Sequence, residues 1–406
     1  MKMRRQISQW LYRVEQNLST NDKNIVKRYR HRTTNYNLNE CLWFSTNTKH
    51  NNKQQQAKKD FQYDHDTGIV TYYNNNGSVS PISFQTVIGL EIHAQLWISS
   101  KLFSTAPTTT TVVTGGKSNE RVGLMDIAYP GSLPKLSKEA VRAAITSARA
   151  LNCQFIHKVS RFERKHYAYA DLPCGYQMTQ QRWPIATQGH IVLPNNNNKV
   201  GIDRIQLEQD TGNFSSLGGM NFNRAGSALI EIVFTPFIGS ANDAATVVST
   251  IQQILRYVGT CDGKLQDGSL RADVNVSIAP LLTSSYDKNQ HTGTHPIIPS
   301  KNNDVGENNN PFDKYLPPNT GHRVEVKNLN SYKQIMDATR YEAIRQTKLL
   351  CCQQQPTSRE TRTFLPKEGR THLIRSKGDA IDYRFLPEPD LPPLILGPEV
   401  RFYISY

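Results

Sequence analysis

Five stretches of the chain alternate apolar and polar residues with a period of two, the spacing of a strand that is buried on one side only. In TVIGLEIHAQL (86–96), Ile88, Leu90, Ile92, Ala94 and Leu96 share one face, and Glu91, His93 and Gln95 share the other. GIDRIQLEQD (201–210) sets Arg204, Gln206, Glu208 and Asp210 against Ile205 and Leu207, and ALIEIV (228–233) sets Glu231 against Ile230 and Ile232. SLRADVNVSI (269–278) opposes Arg271, Asp273, Asn275 and Ser277 to Leu270, Ala272, Val274, Val276 and Ile278, and HRVEVKN (322–328) opposes Arg323, Glu325 and Lys327 to Val324 and Val326. Between these strands the period lengthens to that of amphipathic helices. Residues 137–152 follow a Ser137 cap and place Val141, Ala144, Ile145 and Ala148 on one stripe. Residues 240–258 carry Ser240 and Asp243 at capping-box spacing, an apolar face of Val247, Ile251, Ile254, Leu255 and Val258, and Gly259 as a stop. A third helix is expected from Ser331 past Arg345.

Polar, low-complexity tracts divide the rest. Residues 18–82 are rich in Asn, Gln, Lys and Ser and lack sustained periodicity, so 1–83 is expected to be leader and linker. Asn195–Asn198 is expected to be a loop tip, and about 283–318 a long surface insertion. These elements predict an α+β fold: a mixed, largely antiparallel sheet over 84–375 with helices on its apolar side, followed by part of a small helical domain over 376–406.

Composition narrows the partners. Lys plus Arg is 48 against 34 for Asp plus Glu, a net charge of +14 that favours a polyanion such as RNA. No window reaches the roughly 18 apolar residues of a membrane-crossing helix, so no membrane span is expected. The six cysteines are scattered, without paired CxxC spacing, which argues for a reducing compartment. Within residues 1–40, nine Lys or Arg face only Glu15, Asp22 and Glu40. That bias matches an organellar presequence; a basic tail that touches RNA non-specifically has the same composition.

The polar strand faces carry the chemistry. Any antiparallel sheet with one wet side shows such alternation, but a merely solvated face is filled as well by Thr, Lys and Ser as by Glu, Asp, His, Asn and Arg. Magnesium takes hard oxygen ligands and completes its shell with water and phosphates. Glu91, Glu208 and Glu231, with His93 beside them, are the candidate ligands. Arg271, Arg323 and Lys327 are candidates for holding phosphate oxygens or developing negative charge, with Asp273 and Asn275 on the same face. Neither a GxxxxGK[ST] loop nor a kinase glycine loop paired with DFG is present, so an ATP site here is of neither type.

VIGLEIHAQLWISSKLFS (87–104), YPGSLPKLSKEAVRAA (129–144), SRFERKHYAYADLPCGYQMTQ (160–180), IDRIQLEQDTGN (202–213), NFNRAGSALIEIV (221–233), DGKLQDGSLRADVNVS (262–277), RVEVKNLNSYKQIMDATRYEAIRQ (323–346) and RSKGDAIDYRFLPEPDLPPL (375–394) occur in order. Together, over about 84–396, they resemble the B subunit of the glutamyl-tRNA(Gln), or aspartyl/glutamyl-tRNA, amidotransferases. The resemblance implies a ligase subunit that phosphorylates the side-chain carboxylate of glutamate esterified to tRNA(Gln), using ATP and Mg. Ammonia, freed from glutamine by an amidase subunit, then displaces the phosphate; a small linking subunit completes the complex. With the basic leader, the resemblance implies the mitochondrial form, in the matrix.

Residue by residue, it implies a metal and activation site at Glu91, His93, Glu208 and Glu231; the polar strand faces themselves suggest Arg271 and Lys327 for catalysis and Arg323, Asp273 and Asn275 for the nucleotide. Arg161, Tyr167, Tyr169, Asp171 and Tyr176 fall in a block expected to be structural. The chain departs from the family's pattern in three places. Gln209 stands where bacterial relatives commonly carry Glu, which removes one expected charge beside Glu208. No cysteine lies between Cys41 and Cys153, so the four-cysteine zinc site of some relatives is not expected. Relatives also continue past the DLPPL block into helical and tail domains. These departures leave a second reading, a non-catalytic tRNA-binding scaffold subunit.

Overall fold

The computed structural model describes residues 61–73, 81–108, 117–214, 218–281, 320–353, 359–376 and 383–397. The basic leader and the 283–318 tract lie outside them. In chain order the elements begin β1 (Phe61–Tyr63), β2 (Ile69–Tyr72), β3 (Ile82–Gln95), α1 (Lys138–Ala150), β4 (Phe155–Ile156), β5 (Val159–Ser160), β6 (Glu163–His166), β7 (Tyr176–Thr179), β8 (Ala186–Val192) and β9 (Lys199–Gln209). They continue with β10 (Asn213–Phe214), β11 (Met220–Asn221), β12 (Ala228–Phe234), β13 (Phe237–Ile238), α2 (Ala241–Tyr257), β14 (Leu270–Pro280), β15 (Val324–Leu329), α3 (Tyr332–Gln353), β16 (Glu360–Leu365), β17 (Arg370–Ser376), β18 (Leu386–Pro387) and β19 (Leu394–Ile395).

One 12-stranded sheet organises the molecule, in the order β17-β16-β15-β14-β3-β12-β9-β8-β4, with β13 and the β1–β2 hairpin added on β3. Its pairings are antiparallel except β15 with β16, so the sheet is mixed but largely antiparallel, as the alternation predicts. The long β3 is its axis: β14 runs beside it from Leu270↔Ala94 to Pro280↔Phe84, and β12 takes the other edge at the Glu91–Gln95 end.

The apolar face of β3 (Ile88, Leu90, Ile92, Ala94) is buried in one core with Val247, Ile251, Ile254 and Leu255 of α2, Ala140, Ala144 and Ala148 of α1, and Ile335 and Ala338 of α3. Each fully buried Leu or Ile side chain contributes roughly 1.5–3 kcal/mol. The helices start where their caps direct. Ser137 Oγ accepts from the Ala140 amide at 3.3 Å, and Ser240 and Asp243 form a reciprocal capping box, with Asp243 N to Ser240 Oγ at 3.1 Å and Ser240 N to Asp243 Oδ2 at 2.9 Å. Gly259, at φ +72°, follows the last turn of α2. The Asn195–Asn198 tip is a turn, and Asn195 and Asn196 both donate to Asp243 Oδ1 at 3.0 Å.

Two expectations change. The sheet starts before residue 84: β1 and β2 lie inside the stretch expected to be linker, and β2 pairs with β3 from Ile69↔Gln85 to Tyr72↔Ile82. Strands of three and four residues are too short to show a period, and what holds the hairpin is tertiary. Val70 is fully buried, the Tyr63 hydroxyl accepts from the Ala241 amide at 2.8 Å, and Gly68 (φ +72°) lies so close to Gly239 that a Cβ would sit 2.2 Å from its carbonyl oxygen. The region expected to begin a helical domain is, over 383–397, extended chain. There β18 pairs with β6 and β19 with β5. Proline recurs through LPEPDLPP, which opposes helix. Ion pairs strap the segment down: Arg164 donates to both oxygens of Glu388 at 2.7 Å and to Asp390 at 3.1 Å, and Arg182 donates to the Phe385 carbonyl at 2.9 Å.

Candidate metal centre on the polar face of the sheet

Three adjacent strands bring the first residues together. His93 on β3 stands directly across from Glu231 on β12, which stands across from Gln206 on β9, with Glu208 two residues along. Neighbouring strands lie about 4.8 Å apart and directly opposed side chains share a face, so the register alone places these groups over one patch. One ligand atom each from His93, Glu208 and Glu231 lie within 4.8 Å of one another, and His93 Nε2 is 3.5 Å from Glu208 Oε1.

The electrostatics of the patch are those of crowded, buried carboxylates. Burial pushes the Glu208 carboxyl up to about 7, and the charge of Glu231 pushes the same way against His93 and Lys165. Burial also opposes charge on Glu231, but His93, Lys165, Arg204 and a hydrogen bond with Glu208 outweigh it and hold Glu231 below the usual carboxylate range. The two carboxyls are thus pushed in opposite directions, Glu208 toward the protonated form and Glu231 toward the anion. A divalent cation fits this donor set: two carboxylates supply the hard oxygens that magnesium and manganese take, and the imidazole is the less usual third partner for such a cation.

Glu91 sits off this cluster. It is two residues from His93, opposite Asp273 on β14, and accepts from Asn275 Nδ2 at 3.2 Å. Burial, then Glu231 and Glu325, raise its pKa against Arg323 and Lys327. The buried Asn275 Oδ1 has no hydrogen-bond partner, an acceptor left for a donor or cation that is not part of the chain. Lys327, expected to reach phosphate, is held by its neighbours, with Nζ 3.1 Å from Asp273 and 2.8 Å from Glu325. Burial works against its charge, but Asp273, Glu325 and Glu91 keep it firmly protonated.

Arg271 is also engaged. Its guanidinium grips Asp210 with two hydrogen bonds, at 3.1 and 3.0 Å, and burial of the arginine is outweighed by that carboxylate. The pair ties the end of β9 to β14 rather than facing an open site. Gln209 turns away from the cluster altogether: its Oε1 accepts from the Met178 amide at 3.4 Å, so the missing charge at this position does not fall among the ligands.

The tyrosine block is partly packed: Arg161 and Tyr169 are exposed, and Tyr167, Asp171 and Tyr176 are half-buried. Tyr167 and Tyr169 stack with ring centres 4.3 Å apart, Arg164 covers Tyr176 at 4.3 Å and Arg161 covers Trp183 at 5.8 Å. The Asp171 carbonyl accepts from Gly212 N at 2.8 Å, while its Oδ1 is buried without a partner. The Cys174 thiol is pushed up by burial, the opposite of what a nucleophile needs. Two contributors carry no mark in the sequence pattern. Lys165 on β6 lies near enough to favour charge on both Glu208 and Glu231, with its Nζ 5.0 Å from the centre of the Tyr383 ring. Thr179 on β7 donates to Glu208 Oε2 at 3.4 Å. Their strands are four residues each, too short for alternation to mark them.

The sequence has known counterparts. The model of the GatB/GatE catalytic domain matches residues 86–295 and 312–401. The chain belongs to the GatB/GatE catalytic-domain family. It is 40% identical over 324 residues to the B subunit of the aspartyl/glutamyl-tRNA(Asn/Gln) amidotransferase of Xanthobacter autotrophicus, covering 78% of this chain and 57% of that protein. Subunits of the same name from Anaplasma marginale (41% over 317 residues; 77% and 57%) and Caulobacter vibrioides (40% over 323 residues; 78% and 59%) are similar to it to the same degree. The chain thus spans a little under three fifths of the length of these relatives. All five alternating stretches fall within the two segments matched to the GatB/GatE domain, the last of them, on β15, in the second.

Proposed function

We propose that this GatB/GatE domain is the activating subunit of a tRNA-dependent amidotransferase, converting Glu-tRNA(Gln) to Gln-tRNA(Gln) with ATP, Mg and glutamine-derived ammonia. The observation that carries the reading is the convergence of His93, Glu208 and Glu231 from three strands onto one buried patch. A free carboxylate is a poor acyl donor, and a mixed anhydride with phosphate supplies the leaving group. The γ-phosphorus bonds to a glutamate oxygen as its bond to ADP breaks; ammonia then adds to the acyl carbon, and phosphate departs with the electron pair.

Phosphoryl transfer asks for positioning and charge neutralisation rather than a protein nucleophile. His93, Glu208 and Glu231 would hold the cation, which when bound neutralises phosphate oxygens. Lys165 favours charge on Glu208 and Arg323 on Glu91, Lys327 offsets part of the charge of Asp273 and Glu325, and Asn275 offers an unused acceptor. The partners are an amidase subunit, a small linking subunit and the charged tRNA, the last in keeping with a net charge of +14. The composition of residues 1–40 supports a matrix location, which a fluorescent fusion to that segment tests.

The deciding experiment is phosphate release by the assembled three-subunit complex. It should require Glu-tRNA(Gln), ATP and Mg together, and glutamine should convert the product to Gln-tRNA(Gln). His93→Ala and Glu231→Gln should abolish release while leaving tRNA affinity within a few-fold, because phosphate-backbone contacts come from Lys and Arg. A complex that binds the tRNA and never releases phosphate makes the chain a scaffold instead.

A further inference from the structure

Glu231 and Glu208 are buried like charges, and something must hold them in place before any cation arrives. A continuous chain of donors reaches both, starting on β9 and crossing to β7. Arg204 Nε donates to Gln206 Oε1 at 3.0 Å. Gln206 Nε2 then gives one hydrogen to Glu231 Oε2 at 2.5 Å and the other to Thr179 Oγ1 at 3.1 Å. The Thr179 hydroxyl, already accepting, turns its own hydrogen to Glu208 Oε2 at 3.4 Å.

The direction of this chain is fixed by chemistry. A guanidinium has only donors, so whichever amide atom meets Arg204 must be the oxygen of Gln206. The amide nitrogen then faces Glu231 and Thr179, and both of its hydrogens are used. A carboxylate accepts, so Glu231 receives; a hydroxyl that has accepted one hydrogen bond is free to donate another, so Glu208 receives too. Arg204 is itself steadied by Asp203, at 3.0 Å. The chain ends on the two carboxylates, where it ties down Oε2 of each.

The tied oxygens are on one side of each group. The other oxygen of Glu208, Oε1, is the atom that faces His93 Nε2, at 3.5 Å. We infer that Arg204, Gln206 and Thr179 are positioning residues that pre-orient Glu208 and Glu231 for a divalent cation, with Gln206 as the branch point serving both. The inference rests on the reading of His93, Glu208 and Glu231 as a cation seat. It adds that the seat is built by the small β6–β7–β18 sheet as well as by the large one, since Thr179 belongs to β7.

Outer groups that orient metal ligands typically contribute 10- to 100-fold in metal affinity. Titrating the full chain with Mn²⁺ alone, followed by the electron paramagnetic resonance spectrum of the bound ion, tests this. Gln206→Leu removes the branch point and keeps the volume; it should weaken Mn²⁺ binding roughly 10- to 100-fold and broaden the spectrum of what remains bound. Thr179→Val should weaken it less, because only Glu208 loses a partner, and Thr179→Ser, which restores the hydroxyl, should return the wild-type affinity. If wild-type protein binds Mn²⁺ and a Gln206→Leu protein with an unchanged melting temperature binds it equally well, the positioning role is overturned and the cation seat stands. If Gln206→Leu does not fold, equal binding by Thr179→Val and Thr179→Ser overturns it. If wild-type protein binds no Mn²⁺, the cation seat and the positioning role fall together.

Discussion

Replacing Arg271 with Met separates two roles that the sequence could not distinguish. As a phosphate-binding residue, Arg271 would be dispensable to the fold and essential to turnover. The structure instead buries it against Asp210, with side chains 17% and 4% exposed and two hydrogen bonds near 3 Å. Removing one partner of a buried pair costs about 3–5 kcal/mol, because the other charge is left without compensation. Asp210 retains two weaker supports, Arg224 at 3.4 Å and the Thr211 amide at 2.9 Å, so the lower end applies, about 3 kcal/mol. For a domain of this size that lowers the melting temperature by about 6 °C. Circular dichroism melts of Arg271→Met, Asp210→Asn and the double variant are the assay. The double variant should lose less than the sum of the single losses, because the second substitution removes the charge that the first stranded. An Arg271→Met protein that melts with the wild type and has lost phosphate release would refute this reasoning and return Arg271 to the substrate.

Lys101 and Asp126 form a buried pair at 2.9 Å, with side chains 0% and 3% exposed; Lys101→Met should destabilise by about 3–5 kcal/mol, and adding Asp126→Asn should restore part of it in urea melts. Gly68→Ala combines a positive φ with a Cβ 2.2 Å from the Gly239 oxygen, so it should detach the β1–β2 hairpin and expose its amides to hydrogen exchange while β14 stays protected. Because the Glu208 carboxyl is pushed up to about 7, a cation must expel its proton below that pH. Mn²⁺ affinity should therefore fall about tenfold per pH unit below 7 and level off above, with proton release seen by calorimetry in two buffers; a flat profile from pH 6 to 8 would count against the site.

The strands that carry the site were legible because their alternation is long. Runs of 6–14 residues on β3, β9, β12, β14 and β15 state which side chains share a face, and the sheet honours each of those faces. Strand order was not legible, since pairing β3 with both β12 and β14 depends on contacts more than 100 residues apart. That order decides which polar residues meet. Alternation puts Glu91 and His93 on the same face equally well, but only the register opposite Glu231 and beside Glu208 selects His93 for the cluster and leaves Glu91 with Asn275. Nor could composition show which charges were already matched: Arg271 and Lys327 read as free cations until their partners came from other strands. The β1–β2 hairpin and the strapped 383–397 segment were missed for a different reason. Short strands and proline-rich chain are defined by what they dock against.

The matched charges explain why the cation seat lies at one end of the polar face. Asp210 is matched by Arg271 and Arg224, and Asp273 and Glu325 share the single charge of Lys327. Glu91 has the amide of Asn275 against it and feels Arg323 and Lys327. Glu208 and Glu231 have an imidazole, a threonine hydroxyl, a glutamine amide and the more distant Lys165 and Arg204. Burying two carboxylates this close is expensive unless a positive group joins them, and the sequence places no arginine or lysine on β3 or β12 to do so. At the β3–β12–β9 end the two carboxylates lack a close Lys or Arg, while at the β14–β15 end Lys327 offsets part of the charge of Asp273 and Glu325 and Asn275 Oδ1 stays open. A phosphate brought to the β14–β15 end depends on Lys327 together with Arg323, and a cation at the other end meets a ready pair of oxygens. That separation is a property of strand order, and exchanging the charges of Lys327 and Asp273 should move it less than removing either one.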